Sequence, residues 1–146
     1  WGLYDQYYYD GSDPDDGSNG GKMTTGLMAY IDEDWRLRPT GQAWSLVCHA
    51  APRDSRIHAG RSTHADVDAV ALALPDEGGA SILLVNRAKT PCTVQFEALP
   101  PAANGLDITQ ASVFGRDGLS KLGVAPDHPL VIPAESLAWL SFGKRN

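Results

Sequence analysis

Three scarcities narrow this sequence before any motif is read. There are only two cysteines in 146 residues, too few for a disulfide scaffold, so at most one optional bridge is available. Positive charge is not in excess: 12 Lys plus Arg stand against 18 Asp plus Glu, a formal net charge of -6. No global field gathers phosphates, and a nucleic-acid partner is disfavoured. Long apolar runs are missing too. The longest, such as Ser81–Val85, are strand-sized and far short of the ~20 residues that cross a bilayer as a helix, so membrane insertion is not expected. The chain opens on Trp1 with no initiator Met, basic n-region or apolar leader core, from which a piece of a longer translation product is expected.

What is present is an ordinary globular composition. Hydrophobic residues make up 42% and charged ones 21%, far from the polar, charge-rich corner where chains stay disordered. The length fits one domain, or one domain and part of another. Fifteen Gly and ten Pro imply short elements joined by many turns.

Two regions read differently on either side of Pro52. Residues 1–9 are crowded with aromatics and read as a short strand entering a loop. Residues 10–21 are nearly all turn formers, a loop with nothing to bury. Gly26-Leu27-Met28-Ala29-Tyr30 reads as extended, and Pro39 suits the first position of a helix because its missing N–H has no intrahelical partner there. Ala43, Trp44, Val47, Cys48 and Ala51 recur at helical spacing until Pro52 ends the run. From Asp66 onward the period is two. Val70, Leu72 and Leu74 alternate with small residues, Ser81–Asn86 is continuous, and Val94, Phe96 and Ala98 alternate with polar residues. The connections Pro75–Gly79 and Asn86–Pro91 have hairpin length and turn chemistry, so these three strands are expected to be antiparallel neighbours. Runs at Asp107–Phe114, Leu130–Ile132 and Ser136–Phe142 continue the pattern. Six or so strands at this spacing predict an antiparallel β-sandwich.

Candidate chemistry is sparse. Asp10, Asp13, Asp15 and Asp16 put four carboxylates in one loop, as a hard cation would want, but Pro14 and the lack of a closing Glu break EF-hand spacing. A solvated loop is the alternative. His49, His58, His64 and His128 make no i,i+4 pair with one another or with Cys, which argues against zinc. Cys48 on the helix and Cys92 on a strand can bridge if the helix packs against the sandwich at the Cα separation of about 5.5 Å a disulfide needs; two free thiols are the other possibility. No Gly-x-Ser-x-Gly elbow supports a serine hydrolase, and Gly17–Gly21 lacks the Lys-Ser/Thr ending of a P-loop. Trp1, Tyr4, Tyr7, Tyr8 and Tyr9 offer flat apolar faces that suit a core or the C–H faces of a sugar.

The order of short motifs carries a resemblance. Trp1-Gly2-Leu3-Tyr4-Asp5 is followed by a loop, Gly26-Leu27-Met28, Arg38-Pro39-Thr40-Gly41-Gln42-Ala43-Trp44, Leu84-Val85-Asn86-Arg87 and finally Pro133-Ala134-Glu135-Ser136-Leu137. This resembles the carboxy-terminal end of a clan A glycoside hydrolase, particularly the family 39 β-xylosidase and α-L-iduronidase group. The resemblance implies a mainly β fold, an antiparallel β-sandwich preceded by the last strand–loop–helix unit of a (β/α)8 barrel. Residues 1–52 would be that barrel unit, 53–65 a linker and 66–146 the sandwich. It implies that Trp1, with Tyr4 and Asp5, lines the substrate cleft for a carbohydrate. The two carboxylates of a retaining glycosidase would lie upstream, so no residue of this chain is given a catalytic role and no cofactor is implied. The barrel portion, as a separate or cleaved chain, is the partner implied, and a site outside the cytoplasm the localisation. A freestanding carbohydrate-binding or structural sandwich without catalysis is the competing reading.

Overall fold

The computed structural model describes residues 6–7, 22–23, 26–29, 34–75, 79–123 and 129–144. The chain divides into two compact units, Trp1–Trp44 and Ser45–Asn146. In the first, β1 (Gln6–Tyr7) pairs antiparallel with β2 (Lys22–Met23), and an antiparallel bridge joins Met28 to Leu37. Asp34 and Trp35 turn the chain between those two with φ of 56° and 53°.

Among the described residues one α-helix, α1 (Pro39–Ala50), spans the sequence boundary of the two units. It starts at the expected proline, and Pro52, which has no N–H to donate, follows its end. Its packing face is not the expected one. Leu46 and Ala50 are the buried pair, seated with Trp139 among Leu83, Phe114 and Leu137. Trp44 is 53% exposed and Cys48 is exposed. At about 100° per residue, 46 and 50 form one stripe and 44 and 48 another. Both stripes carry apolar residues, and the sheet takes only one.

The second unit is mainly β. Its strands are β3 (Arg56–Ala59), β4 (Val67–Ala73), β5 (Ala80–Asn86), β6 (Cys92–Val94), β7 (Asp107–Gly115), β8 (Gly118–Lys121), β9 (Leu130–Ile132) and β10 (Ser136–Gly143). Six of them form one antiparallel sheet in the order β3-β4-β5-β10-β7-β8, while β6 and β9 form a two-stranded ribbon. The expected antiparallel sheet is there, with two differences. Residues 53–65 are more than a linker, because Arg56–Ala59 pairs with β4 as the edge of the sheet. Asn86–Pro91 is no hairpin either: it carries the chain from the large sheet to the ribbon, so β5 has β4 and β10 as neighbours.

β5 and β10 lie at the centre and are apolar on both faces, which is why they read as continuous hydrophobic runs. Ala80, Ile82, Leu84, Ala138, Leu140 and Phe142 form the row that joins Leu130 and Ile132 of the ribbon in the main core. Leu83, Leu137 and Trp139, on the opposite face by strand alternation, meet the helix. Trp139 is 9% exposed and Ser81 1%; the indole Nε1–H donates to Ser81 Oγ at 2.7 Å, satisfying two polar groups that would otherwise be buried unpaired. The turn between β4 and β5 needs Gly79, whose φ is 99° and where an added Cβ would run into the Phe142 carbonyl oxygen.

Candidate functional site

The unequal size of the two sheets leaves part of the sandwich open. A ribbon of two three-residue strands cannot cover six strands, and among the described residues no further strand or helix lies over the ribbon-side face of β3 and β4. Here β4 presents Val67, Ala69 and Ala71 on the ribbon side, cross-strand from Asn86, Leu84 and Ile82. The larger Val70 and Leu72 face the other way, where Leu72 is buried at 3% exposure and Val70 is 38% exposed. Alanine there fills little volume. The result is a cleft of about 500 Å³ with an apolar floor of Ala69, Ala71, Ile82, Leu84, Phe96 and Leu99.

The rim is polar and comes from two segments. One wall is the end of β3 and the loop after it, with His58, Arg61, Ser62, Thr63 and His64; the other is the strand–loop around Thr93, Gln95 and Glu97. The first wall is held by a bond pair within it and by Asp66 and Arg87 outside the cleft. Ser62 Oγ accepts from the His64 N–H and donates to the His64 carbonyl, both at 3.0 Å. His64 Nδ1 accepts from the Asp66 N–H at 3.2 Å, which puts the ring proton on Nε2. Arg87 holds the end of the loop by donating Nη2–H to the Ala65 carbonyl at 2.9 Å and its backbone N–H to the Asp66 carbonyl at 2.8 Å. The same guanidinium pairs with Asp68 at 3.1 Å. Gly60 sits at the bend because an added Cβ would strike the Ala69 carbonyl oxygen. In contrast with Arg87, the side chains of Arg61, His58 and Glu97 make no hydrogen bond or ion pair among the described residues.

His58, His64, Cys92 and Glu97 all line this cleft. Among the described residues, however, no three His, Cys, Asp or Glu side chains are grouped to hold a metal ion. Cys48 and Cys92 are both free. The helix does pack on the sandwich, as a bridge required, but it packs on the face opposite the ribbon that carries Cys92. Trp1, Tyr4, Asp5, Asp10, Asp13, Asp15, Asp16 and His128 lie outside the described residues.

Two of the resemblance motifs meet. Asn86, 1% exposed, donates from Nδ2 to the carbonyls of Pro133 at 2.8 Å, Thr90 at 3.0 Å and, more weakly, Ile132 at 3.3 Å. Its Oδ1 accepts from the Ala88 N–H at 3.0 Å. Ser136 Oγ donates to the same Pro133 carbonyl at 2.7 Å. Asn86 and the Pro133–Ser136 turn are therefore one buried polar clamp tying the end of β5 to the β9–β10 corner.

The sequence pattern missed the cleft. The signal was there as Ala69-Val70-Ala71-Leu72-Ala73, an alternation whose small members mark the face that leaves space. It was eclipsed by the larger residues, and His58 and His64 belong to a segment that looked like a connector.

No protein-family model matches the chain, and no curated protein sequence does. Among solved structures, a family 51 α-L-arabinofuranosidase from Bifidobacterium longum is similar over 61% of this chain, at 20% identity and a TM-score of 0.42. The similarity covers 21% of that chain, about a fifth of its length.

Proposed function

We propose that this chain is the carboxy-terminal portion of a glycoside hydrolase acting on the O-glycosidic bonds of a poly- or oligosaccharide. In this reading, residues 1–52, with α1, are the last unit of the barrel, the strands β3 to β10 are the accessory β-sandwich, and Trp1, with Tyr4 and Asp5, forms one wall of the sugar cleft. The catalytic carboxylates belong to a barrel portion outside the chain. One observation carries the reading: α1 has two apolar stripes where a helix capping one sheet needs one. Leu46 and Ala50 satisfy the sandwich, while Trp44 stays 53% exposed. A large aromatic left open beside a packed stripe suits a helix held between two layers. The hydrogen-bonded meeting of Asn86 with the Pro133–Ser136 turn adds support, because it gives two of the resemblance motifs one shared structural purpose.

Native mass spectrometry of the protein isolated from its own source tests this. The expected result is co-purification of the 15.6 kDa chain, or its occurrence within one polypeptide, with a barrel-sized segment of about 250 residues, and hydrolysis of at least one member of an aryl-glycoside panel by that assembly. A soluble lone monomer that hydrolyses none of the panel overturns the reading.

A further inference from the structure

We propose that the half-open sandwich binds a small organic carboxylate with an apolar body, its acid group taken by Arg61 and its body laid on the floor of Ala69, Ala71, Phe96 and Leu99. The proposal is independent of the glycosidase reading, since it uses only residues of the 45–146 unit and requires no barrel.

Size comes first. About 500 Å³ lies within the range of pockets that hold small molecules, roughly 300–1,000 Å³, and is open to solvent on the side the ribbon does not reach. The floor selects an apolar body: alanines at 69 and 71 give depth, and Phe96, packed edge-on against Phe142 with centroids 6.3 Å apart, gives a fixed aromatic surface. Charge selects the head. Arg87 is spent on Asp68 and the loop carbonyl, whereas Arg61 on the same loop has no partner among the described residues and lines the cleft. A guanidinium fork matches a carboxylate with two parallel hydrogen bonds. His58 and the Nε2–H of His64 add donors on the same wall, which is preorganised by the Ser62, Asp66 and Arg87 hydrogen bonds and so loses little entropy when occupied. Glu97 on the facing wall works against a doubly charged phosphate more than against a singly charged acid, which is why the head is assigned as a carboxylate.

Carboxylates come on apolar or on polar bodies, and the two sources are separable. Amide chemical-shift titrations of the isotopically labelled chain with hexanoate, 1-hexanol and glucuronate form the experiment. Hexanoate is expected to saturate shifts at Gly60–His64, Ala69, Ala71 and Phe96, with 1-hexanol weaker by about ten-fold or more, the lower end of what a charge-assisted hydrogen bond contributes, and glucuronate weaker still. Arg61→Gln, a change at an exposed side chain, is expected to bring hexanoate down to the affinity of 1-hexanol. Glu97→Gln is expected to tighten hexanoate, and Ala71→Leu, which fills the floor, to weaken hexanoate and hexanol alike. Equal affinity for acid and alcohol, an unchanged affinity in Arg61→Gln, glucuronate binding in preference to hexanoate, or no saturable shift at these residues would each overturn the proposal.

Discussion

Replacing Asn86 by alanine removes every bond by which the clamp ties β5 to the β9–β10 corner, and its cost follows from the bonds it makes. Three are well formed, to the carbonyls of Pro133 and Thr90 and from the N–H of Ala88, at 2.8, 3.0 and 3.0 Å. At about 0.5–1.5 kcal/mol net for each, and with water able to reach the Thr90 end but not the Ile132 end, the loss is about 3 kcal/mol. Spread over a unit of this size, that lowers Tm by roughly 14 °C and moves the urea midpoint by about 1.5 M for an m-value near 2 kcal/mol/M. Urea unfolding followed by far-ultraviolet circular dichroism reads it directly. Asn86→Asp sharpens the test. The new carboxyl keeps the acceptor for Ala88 but turns an oxygen toward three carbonyl oxygens, so at neutral pH it is expected to cost at least as much as alanine. Burial among acceptors favours the protonated form in the folded state, which raises the folded pKa of that carboxyl above its unfolded value. The stability gap to wild type is therefore widest at pH 7 and narrows as pH falls to about 4, where the acid regains a proton to donate. An alanine variant within about 0.5 kcal/mol of wild type, or an aspartate variant whose defect grows on acidification, would refute the clamp.

Three further outcomes follow from other parts of the fold. Gly79→Ala forces a Cβ onto the Phe142 carbonyl at a left-handed φ, and a loss of at least about 2 kcal/mol is expected in thermal unfolding; a wild-type Tm would contradict that geometry. Trp139→Phe deletes the donor to Ser81 and is expected to cost about 1–2 kcal/mol, with Ser81→Ala adding little in the double variant; full additivity in that cycle would mean the 2.7 Å bond contributes nothing. Trp44→Ala, at an exposed position, is expected to leave stability within about 0.5 kcal/mol while weakening association with the barrel portion by ten-fold or more, as truncation of an interface aromatic does. Undiminished association, measured by calorimetry, would remove the main support for the proposed function.

Where one physical signal dominated, the fold was legible in the sequence. Pro39 and Pro52 bracket the helix because proline fits one end and cannot continue the other, and Ser81–Asn86 and Ser136–Phe142 are continuous apolar runs because β5 and β10 are covered on both faces. Pairing was harder to read. The Asn86–Pro91 connection has hairpin length, yet β5 already has a partner on each side, and that competition is settled by β10, far away in sequence. β3 went unseen because an exposed edge strand, Arg56-Ile57-His58-Ala59, carries no burial pattern to betray it. The cleft was hidden for the same reason: it is built from an edge strand, a loop and alanines, none of which announces itself by hydrophobicity. Asn86 and Ser136 stood out only as parts of motifs, and their shared purpose needed the two motifs in contact.

The position of β10 also fixes the order in which the sheet can be assembled. It is the last strand described and yet lies in the middle, between β5 and β7. Its pairing with β5 joins residues up to about sixty positions apart, a high contact order that makes closure slow. On the ribosome, the β3–β5 meander emerges early but stays separated from β7–β8 until residue 143 has been made. During that interval two open strand edges are available to other nascent chains. A chain cut short before Ser136 would lose the keystone of the sheet rather than its margin, and quality control would meet two half-sheets with no seam between them.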